Sequence, residues 1–217
     1  MKLLAVTTYN NKLYKEYGSR FESTYNWDFP YTVYNEDDGM FEAIPDCKAF
    51  VERNKNRIVP NNPNGFFVDG ERFCYKVYAY TNARMQYHDL DGIIVFDADW
   101  IKKHIHRDNC MMSYLGRGNH YSECGFLYFN LRHPDTQAYA SRMKHMYDTD
   151  GIYNLKEQHD SYVWDYVRKE FENRGTKNYD LGDGKAGHVQ ARSILGTIYD
   201  HTKGERKIKG RSKEFRG

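Results

Sequence analysis

The sequence predicts an α/β fold built on a mixed, mostly parallel sheet. Three observations carry this. Short apolar strands alternate along the chain with amphipathic helical stretches, the pattern of strand–helix–strand units. Ile93-Ile94-Val95-Phe96 is an unbroken apolar run, as expected of a short strand buried on both faces of a parallel sheet. With 217 residues, 40% of them hydrophobic, the chain has enough apolar mass for one core, so residues 1–217 read as a single domain ending in a basic tail over 203–217.

Leu3 to Val6 reads as the first strand, running into the small polar residues Thr7, Thr8 and Tyr9. A helix follows, with Leu13, Tyr17, Phe21 and Tyr25 spaced by four on its inner face. Tyr31 to Tyr34 is a second short strand, and the polar, Pro- and Gly-bearing stretch 53–70 is a long loop. Loops of that length in a compact domain are often functional. Phe73, Val77, Tyr80 and Ala83 mark a helix leading to the apolar strand, and Trp100 to His106 a short helix after it. Cys124 to Asn130 is another strand. Pro134-Asp135 opens a helix, since proline suits the first turn and an acid the positive end of the dipole. A further helix spans Asp160 to Phe171. Beyond Gly182 the chain is glycine-rich, then basic, with one apolar stretch at Ile194–Ile198.

Composition excludes several classes. Lys and Arg number 32 against 30 Asp and Glu, so global charge demands neither nucleic acid nor a membrane surface. The 4 cysteines (Cys47, Cys74, Cys110, Cys124) form no C-x-x-C pair and read as reduced thiols of a cytoplasmic protein. The apolar run at the N-terminus is too short for a signal peptide, and no segment is long enough to span a membrane. Neither G-x-G-x-x-G after the first strand nor a P-loop is present, against a dinucleotide oxidoreductase and a P-loop NTPase. The 20 tyrosines read mostly as half-buried packing, with a sugar- or base-stacking cleft as the sharper alternative.

The chemistry concentrates at Asp97-Ala98-Asp99, directly after the apolar strand. If the chain stays extended there, both carboxylates project to one side, beyond the carboxyl end of a strand where open α/β sheets bind ligands. Two such acids can share a hard divalent cation that in turn holds a diphosphate. The other Asp-x-Asp pairs, Asp89/Asp91 and Asp148/Asp150, look like turns with a following glycine.

These residues, taken with others in order, resemble the metal-dependent GT-A-fold glycosyltransferases, glycosyltransferase family 8 in particular, which includes glycogenin-like and bacterial galactosyltransferase-like enzymes. Thr7-Thr8-Tyr9 matches the family region that holds uracil and ribose. Lys76 matches a cation on the helix before the Asp-x-Asp strand, and Val95-Phe96-Asp97-Ala98-Asp99 is similar to the family's apolar-Asp-x-Asp. Gly125 and Asn130 fit the family's Asn-Ala-Gly and following strand, with Glu123 in place of the Asn. Glu157-Gln158-His159-Asp160 is similar to a later Asp-Gln-Asp motif, in either of two registers. His201-Thr202-Lys203-Gly204-Glu205-Arg206-Lys207 matches the spacing of His-x-x-Gly-x-x-Lys, and Ile208-Lys209 stands where the family has Pro-Trp.

The resemblance implies a GT-A-like fold and transfer of a sugar from a nucleotide diphosphate donor, a UDP-sugar, to a carbohydrate or glycoconjugate acceptor. It also implies retention of anomeric configuration, which the residues alone leave open. Asp97, Asp99 and His201 would hold Mn²⁺ or Mg²⁺. Thr7, Thr8, Tyr9, Lys76, Asp97, Gly204 and Lys207 would contact the donor, and Glu123 and Asp160 would serve catalysis. Two carboxylates and an imidazole suit Mn²⁺, Gly204 lets backbone N–H groups approach phosphate, and Lys207 adds a point charge.

Plainer roles stand beside these. Glu123 is equally an ion-pair partner, Asp160 a helix N-cap and Lys76 a solvated lysine. His104, His106, His120 and His145 read as surface or satisfied residues. The stretch from Lys203 to Arg216, with 7 Lys/Arg against 2 Glu, reads as a solvated, frayed end; functionally it would cover the diphosphate or meet an anionic surface. Two rivals remain: a sugar-nucleotide pyrophosphorylase, which lacks support in the glycine-free Thr7–Asn11, and a nucleic-acid-binding module using the basic tail.

Overall fold

The computed structural model describes residues 2–25, 29–37, 39–57, 65–86, 92–93, 98–198, 200–201, 211–213 and 215–217. Its strands are β1 (Leu3–Tyr9), β2 (Tyr31–Asn35), β3 (Gly92–Ile93), β4 (Met112–Arg117), β5 (His120–Asn130) and β6 (Tyr179–Asp180). Its helices are α1 (Asn11–Thr24), α2 (Met40–Ala43), α3 (Pro45–Asn54), α4 (Gly70–Gln86), α5 (Ala98–His104), α6 (Asp135–Asp148), α7 (Asp160–Glu172) and α8 (Val189–Arg192), with 3₁₀ turns at Gly151–Asn154 and Ile194–Thr197.

The strands form one mixed sheet in the order β2-β1-β3-β5-β4-β6. The β1–β2, β1–β3 and β4–β6 pairings are parallel; β3–β5 and β4–β5 are antiparallel. From β1 the chain first moves outward to β2, then returns through α4 to β3 on the other flank of β1. The strand order therefore reverses between β1 and β3, the kind of switch point at which open α/β sheets take ligands.

Strand periodicity divides the core between the two faces of the sheet. Leu4 of β1 and Leu127 and Phe129 of β5 face one apolar cluster, filled by α3, α4, α6 and α7. Leu3, Ala5, Phe126 and Tyr128 face the other, filled by Ile101 and Ile105 of the segment between β3 and β4 and by Leu181, Val189 and Leu195. Several of the tyrosines serve this packing, Tyr78, Tyr128, Tyr139 and Tyr147 being fully buried.

Several expectations need correction. Stretch 53–70 is loop only in part, because α3 reaches Asn54 and α4 begins at Gly70. Pro45 at the start of α3 needs no N–H and has its φ already set for a first turn. Leu13 is exposed rather than inward; α1 begins instead with the Asn10 side chain accepting from Leu13 N–H at 2.8 Å and with Tyr14 stacked on Tyr9 at 4.4 Å. The strand at Cys124 starts earlier, at His120, as one arm of a hairpin whose partner β4 carries no apolar alternation strong enough to mark it. Of the apolar strand before Asp97, Ile93 is in β3 while residues 94–97 lie outside the described residues. Asp99 sits in the first turn of α5, so the extended geometry expected for it does not hold.

Candidate functional site

The cleft is organised by one strand. Along β5, Tyr121, Glu123 and Gly125 alternate onto one face, and all three line a cleft of about 850 Å³. Phe73 and Lys76 of α4 and the preceding Phe66 and Phe67 form one wall. Glu157, His159, Asp160 and Ser161, at the start of α7, form another. Arg117 and His120 come from the β4–β5 hairpin, and Ala186, Gly187 and His201 from the last third of the chain. Four residues expected in a site, Lys76, Glu123, Asp160 and His201, are thus gathered from separate elements. His120, expected to be a surface residue, also lines the cleft.

Lys76 and Asp160 form the floor pair. The Lys76 ammonium donates to Asp160 Oδ2 and, at 3.1 Å, to the Cys124 carbonyl. Burial works against charge on Lys76, but the Asp160 carboxylate outweighs it and holds the lysine above its ordinary value. Burial likewise pushes the Asp160 carboxyl up; Lys76 and the Ser161 N–H more than reverse this and leave it below the usual range. Asp160 is not the N-cap of α7. That place belongs to His159, whose Nδ1 accepts from Tyr162 N–H at 3.4 Å, which frees the Asp160 carboxylate to face the lysine. Nor is Lys76 a freely solvated lysine.

Glu123 is held at both oxygens. Oε1 accepts from Gly125 N–H at 3.0 Å and Oε2 from Arg117 at 3.4 Å. It is an ion-pair partner and a cleft carboxylate at once. The β4–β5 register shifts beside it, on both sides of the Leu115–Glu123 pairing. Such irregularities re-aim side chains near functional sites.

His201 lies against Gly125. A Cβ on Gly125 would meet His201 Nδ1 at 2.5 Å, so only glycine admits the imidazole there. Nδ1 faces Gln190 Oε1 at 2.9 Å, an amide oxygen that accepts from it and so fixes the orientation of the ring, the kind of support a ligating imidazole takes through one of its two nitrogens. The Gln190 Nε2 atom is buried without a partner. This arrangement fits a metal-ligating histidine. Asp97, Gly204 and Lys207 lie outside the described residues, and no group of three metal-ligating side chains occurs among the described ones. The cysteines are free, and burial pushes the Cys74 and Cys124 thiols up.

Thr7, Thr8 and Tyr9 close β1 and are not among the residues that line the cleft, whose floor is Lys76 and Asp160. Glu36, after β2, links them to it. Burial raises its carboxyl above the ordinary value, opposed by hydrogen bonds from Thr8 and Asn10 and by the charge of Lys76. Tyr9 shares a stack with Tyr14, so one of its faces is taken.

Glu36, Arg117, Tyr121 and Gln190 have no role in the sequence analysis, and Glu157 and His159 enter it only within the Glu157–Asp160 motif. Tyr121 carried a signal, its period-two spacing to Glu123; Gln190 and Glu36 carried none. The C-terminal stretch is docked rather than frayed where it is described. Ser212 is buried with its N–H on Asp200 at 2.7 Å, and Arg216 donates to the Ser193 carbonyl at 2.5 Å. Among the described residues no helix is long and apolar enough to cross a membrane. Set against protein-family models, curated proteins and solved structures, the chain matches none.

Proposed function

We propose that this chain is a GT-A-like glycosyltransferase that moves a sugar from a nucleotide diphosphate donor, a UDP-sugar, to a hydroxyl acceptor. The observation that carries the reading is the convergence of Lys76, Glu123, Asp160 and His201 on one cleft, from elements distant in sequence. The reversal of strand order between β1 and β3 supports it, since Thr7, Thr8 and Tyr9 then end a strand at a switch point.

In this reading Thr7, Thr8 and Tyr9 hold the nucleoside, with the unstacked face of Tyr9 toward the base. Lys76 and Asp160 offer a donor and an acceptor to the sugar hydroxyls. His201, with Asp97 and Asp99, would hold Mn²⁺ or Mg²⁺, and Gly204 and Lys207 would meet the diphosphate. The cation supplies neutralisation of the negative charge that develops on the leaving nucleotide. Transfer breaks the bond from sugar C1 to the phosphate oxygen, which keeps the electron pair, and forms a bond from C1 to the acceptor oxygen. Glu123, between the two ends of the cleft, is the carboxylate positioned to steady positive charge at C1 or to take the acceptor proton.

Calorimetry of UDP with the full-length protein tests this, with Mn²⁺ and again in EDTA. Ligand at 100 times its dissociation constant stabilises the folded state by about 2.7 kcal/mol, which for a chain of this size raises Tm by roughly 5–10 °C. Metal-dependent binding is expected; UDP binding equally well in EDTA overturns the metal-bridged donor site. Binding that ignores Mn²⁺ and UDP but falls steeply with salt on single-stranded nucleic acid is the outcome the basic-tail rival requires.

A further inference from the structure

We infer that the aromatic end of the cleft is a subsite for a neutral saccharide. Its role as an acceptor subsite rests on the glycosyl-transfer reading; the binding itself does not.

The cleft has two chemically different ends. β5 measures them out: each two-residue step is about 7 Å, so Tyr121 and Gly125 lie roughly 14 Å apart with Glu123 midway. The Gly125 end carries His201. At the Tyr121 end stands a cluster of rings. Tyr121 packs on His159 at 5.0 Å, Phe67 on His159 at 5.4 Å, and Phe66 on Phe67 at 5.6 Å. Phe66 is nonetheless 52% exposed and Phe67 39%. The turn that carries them is pinned, because the Phe67 carbonyl accepts from Gln158 N–H at 2.8 Å. Phe66 also packs on Phe73 at 5.1 Å and lies under Arg72, so both rings are fixed by their neighbours while their outer faces stay open to water on the cleft wall, an apolar surface on which a ligand can rest.

Glu157 supplies the polar rim. Its Oε1 accepts from Tyr121 O–H at 2.7 Å and its Oε2 from His159 Nε2–H at 2.8 Å. An ionised carboxylate has about four acceptor positions, so it retains capacity for ligand hydroxyls.

A sugar ring matches this arrangement. It presents an apolar C–H face to an aromatic ring and hydroxyl donors at its edge to a carboxylate. A nucleobase wants parallel rings to slot between, whereas Phe66 and Phe67 stand at 89°. The charges at this end are already matched, Glu157 lying 4.0 Å from Lys156 Nζ and Glu123 3.4 Å from Arg117, so a ligand needs no charge of its own. A saccharide seated on Tyr121 and Phe67 reaches Glu123 one strand step away, where an acceptor hydroxyl belongs.

The test is saturation-transfer NMR on the full-length protein in EDTA without nucleotide. The probes are the methyl glycosides of glucose and galactose, maltotriose, cellotriose, glucose 6-phosphate and phenol. Transfer to C–H protons of at least one neutral saccharide at millimolar concentration is expected. It should weaken about tenfold in Phe67→Ala, equivalent to about 1.4 kcal/mol, and fall in Glu157→Gln. Metal-dependent UDP binding should stay as in wild type in Phe67→Ala. Thermal melts and the second variant Phe66→Leu control for folding. No transfer to any neutral saccharide overturns the proposal, as do transfer unchanged in Phe67→Ala, tighter binding of glucose 6-phosphate than of glucosides, or binding of phenol alone. If saccharides bind while UDP never does, the transferase reading falls and the subsite stands; if UDP binds with metal while no saccharide does, the subsite falls alone.

Discussion

Asp160 and Asp165 lie on the same helix, are equally buried and are both paired with a cation, yet they do different work. Five residues apart, they point about 140° away from each other around α7. Asp165 looks into the body of the molecule. It accepts from Ser122 N–H at 2.9 Å, from the Ser122 hydroxyl at 2.6 Å and from Arg168 at 3.0 Å. Arg168 is itself committed, lying 3.9 Å over the Tyr114 ring and bonded to Glu172 at 2.6 Å. Asp160 looks into the cleft, and its partner Lys76 keeps 43% of its side chain exposed. Burial and pairing alone therefore do not mark a site. A closed network with a spent cation holds α7 to β5; a pair whose lysine opens to a cleft can exchange its partner for a ligand.

Substitution separates the two. Asp165→Ala should destabilise most, by about 3 kcal/mol, because it leaves the buried Ser122 N–H and hydroxyl without their acceptor and takes from Arg168 one of its two carboxylate partners. In thermal denaturation that is a drop of order 10 °C. UDP affinity per folded molecule should not change. Asp160→Asn should do the reverse: Tm falls by a few degrees, since Lys76 can turn to water, while UDP-sugar turnover falls about 10²-fold. Equal stability losses at the two positions, with turnover spared at Asp160, would erase the distinction.

The same contrast has a pH signature. The folded Asp160 carboxyl sits below its ordinary value, burial opposing and Lys76 prevailing. The folded state therefore binds fewer protons there than the unfolded state, and the contribution of the pair is complete above about pH 3.9, the ordinary Asp value. It is lost as pH falls through and below that value. The Tm gap between wild type and Asp160→Asn, followed from neutral pH downward, should hold to about pH 4 and then close. A gap independent of pH would mean that the charge of Asp160 contributes nothing to folding.

How much of this was legible in the sequence follows from which interactions are local. Helices α4, α6 and α7 and strands β1, β2 and β5 declare themselves by apolar period or by Pro134-Asp135, because each depends on its own residues. β4 does not, because its place comes from pairing with β5 and β6. The site divides the same way. Lys76, Glu123, Asp160 and His201 were reached through a resemblance read along the chain. The Glu157–His159–Tyr121 contacts were not, because they join α7 to β5 across the cleft. The N-cap of α7 lies one residue before the aspartate that the sequence suggests: an aspartate is the common cap, and nothing local reveals that Lys76 draws this one away.

The sharpest small test is at Gly125, where cleft chemistry can be disturbed without disturbing the fold. A methyl there would lie 2.5 Å from His201 Nδ1 and 3.1 Å from Gln190 Oε1, and both are side-chain atoms able to yield. Alanine also limits the unfolded chain more than glycine does, a gain of up to about 1 kcal/mol that offsets the crowding. Gly125→Ala should therefore keep Tm within a few degrees of wild type while pushing the imidazole off its Gln190 contact. If His201 is a metal ligand, the Mn²⁺ concentration needed for half-maximal UDP binding should rise about tenfold, equivalent to about 1.4 kcal/mol. His201→Ala should raise it at least as far. Uridine binding, which involves no phosphate, should stay unchanged in both. If His201 only packs against β5, Gly125→Ala should leave the Mn²⁺ titration where it was, and the cleft would then have to hold its ligand without that residue.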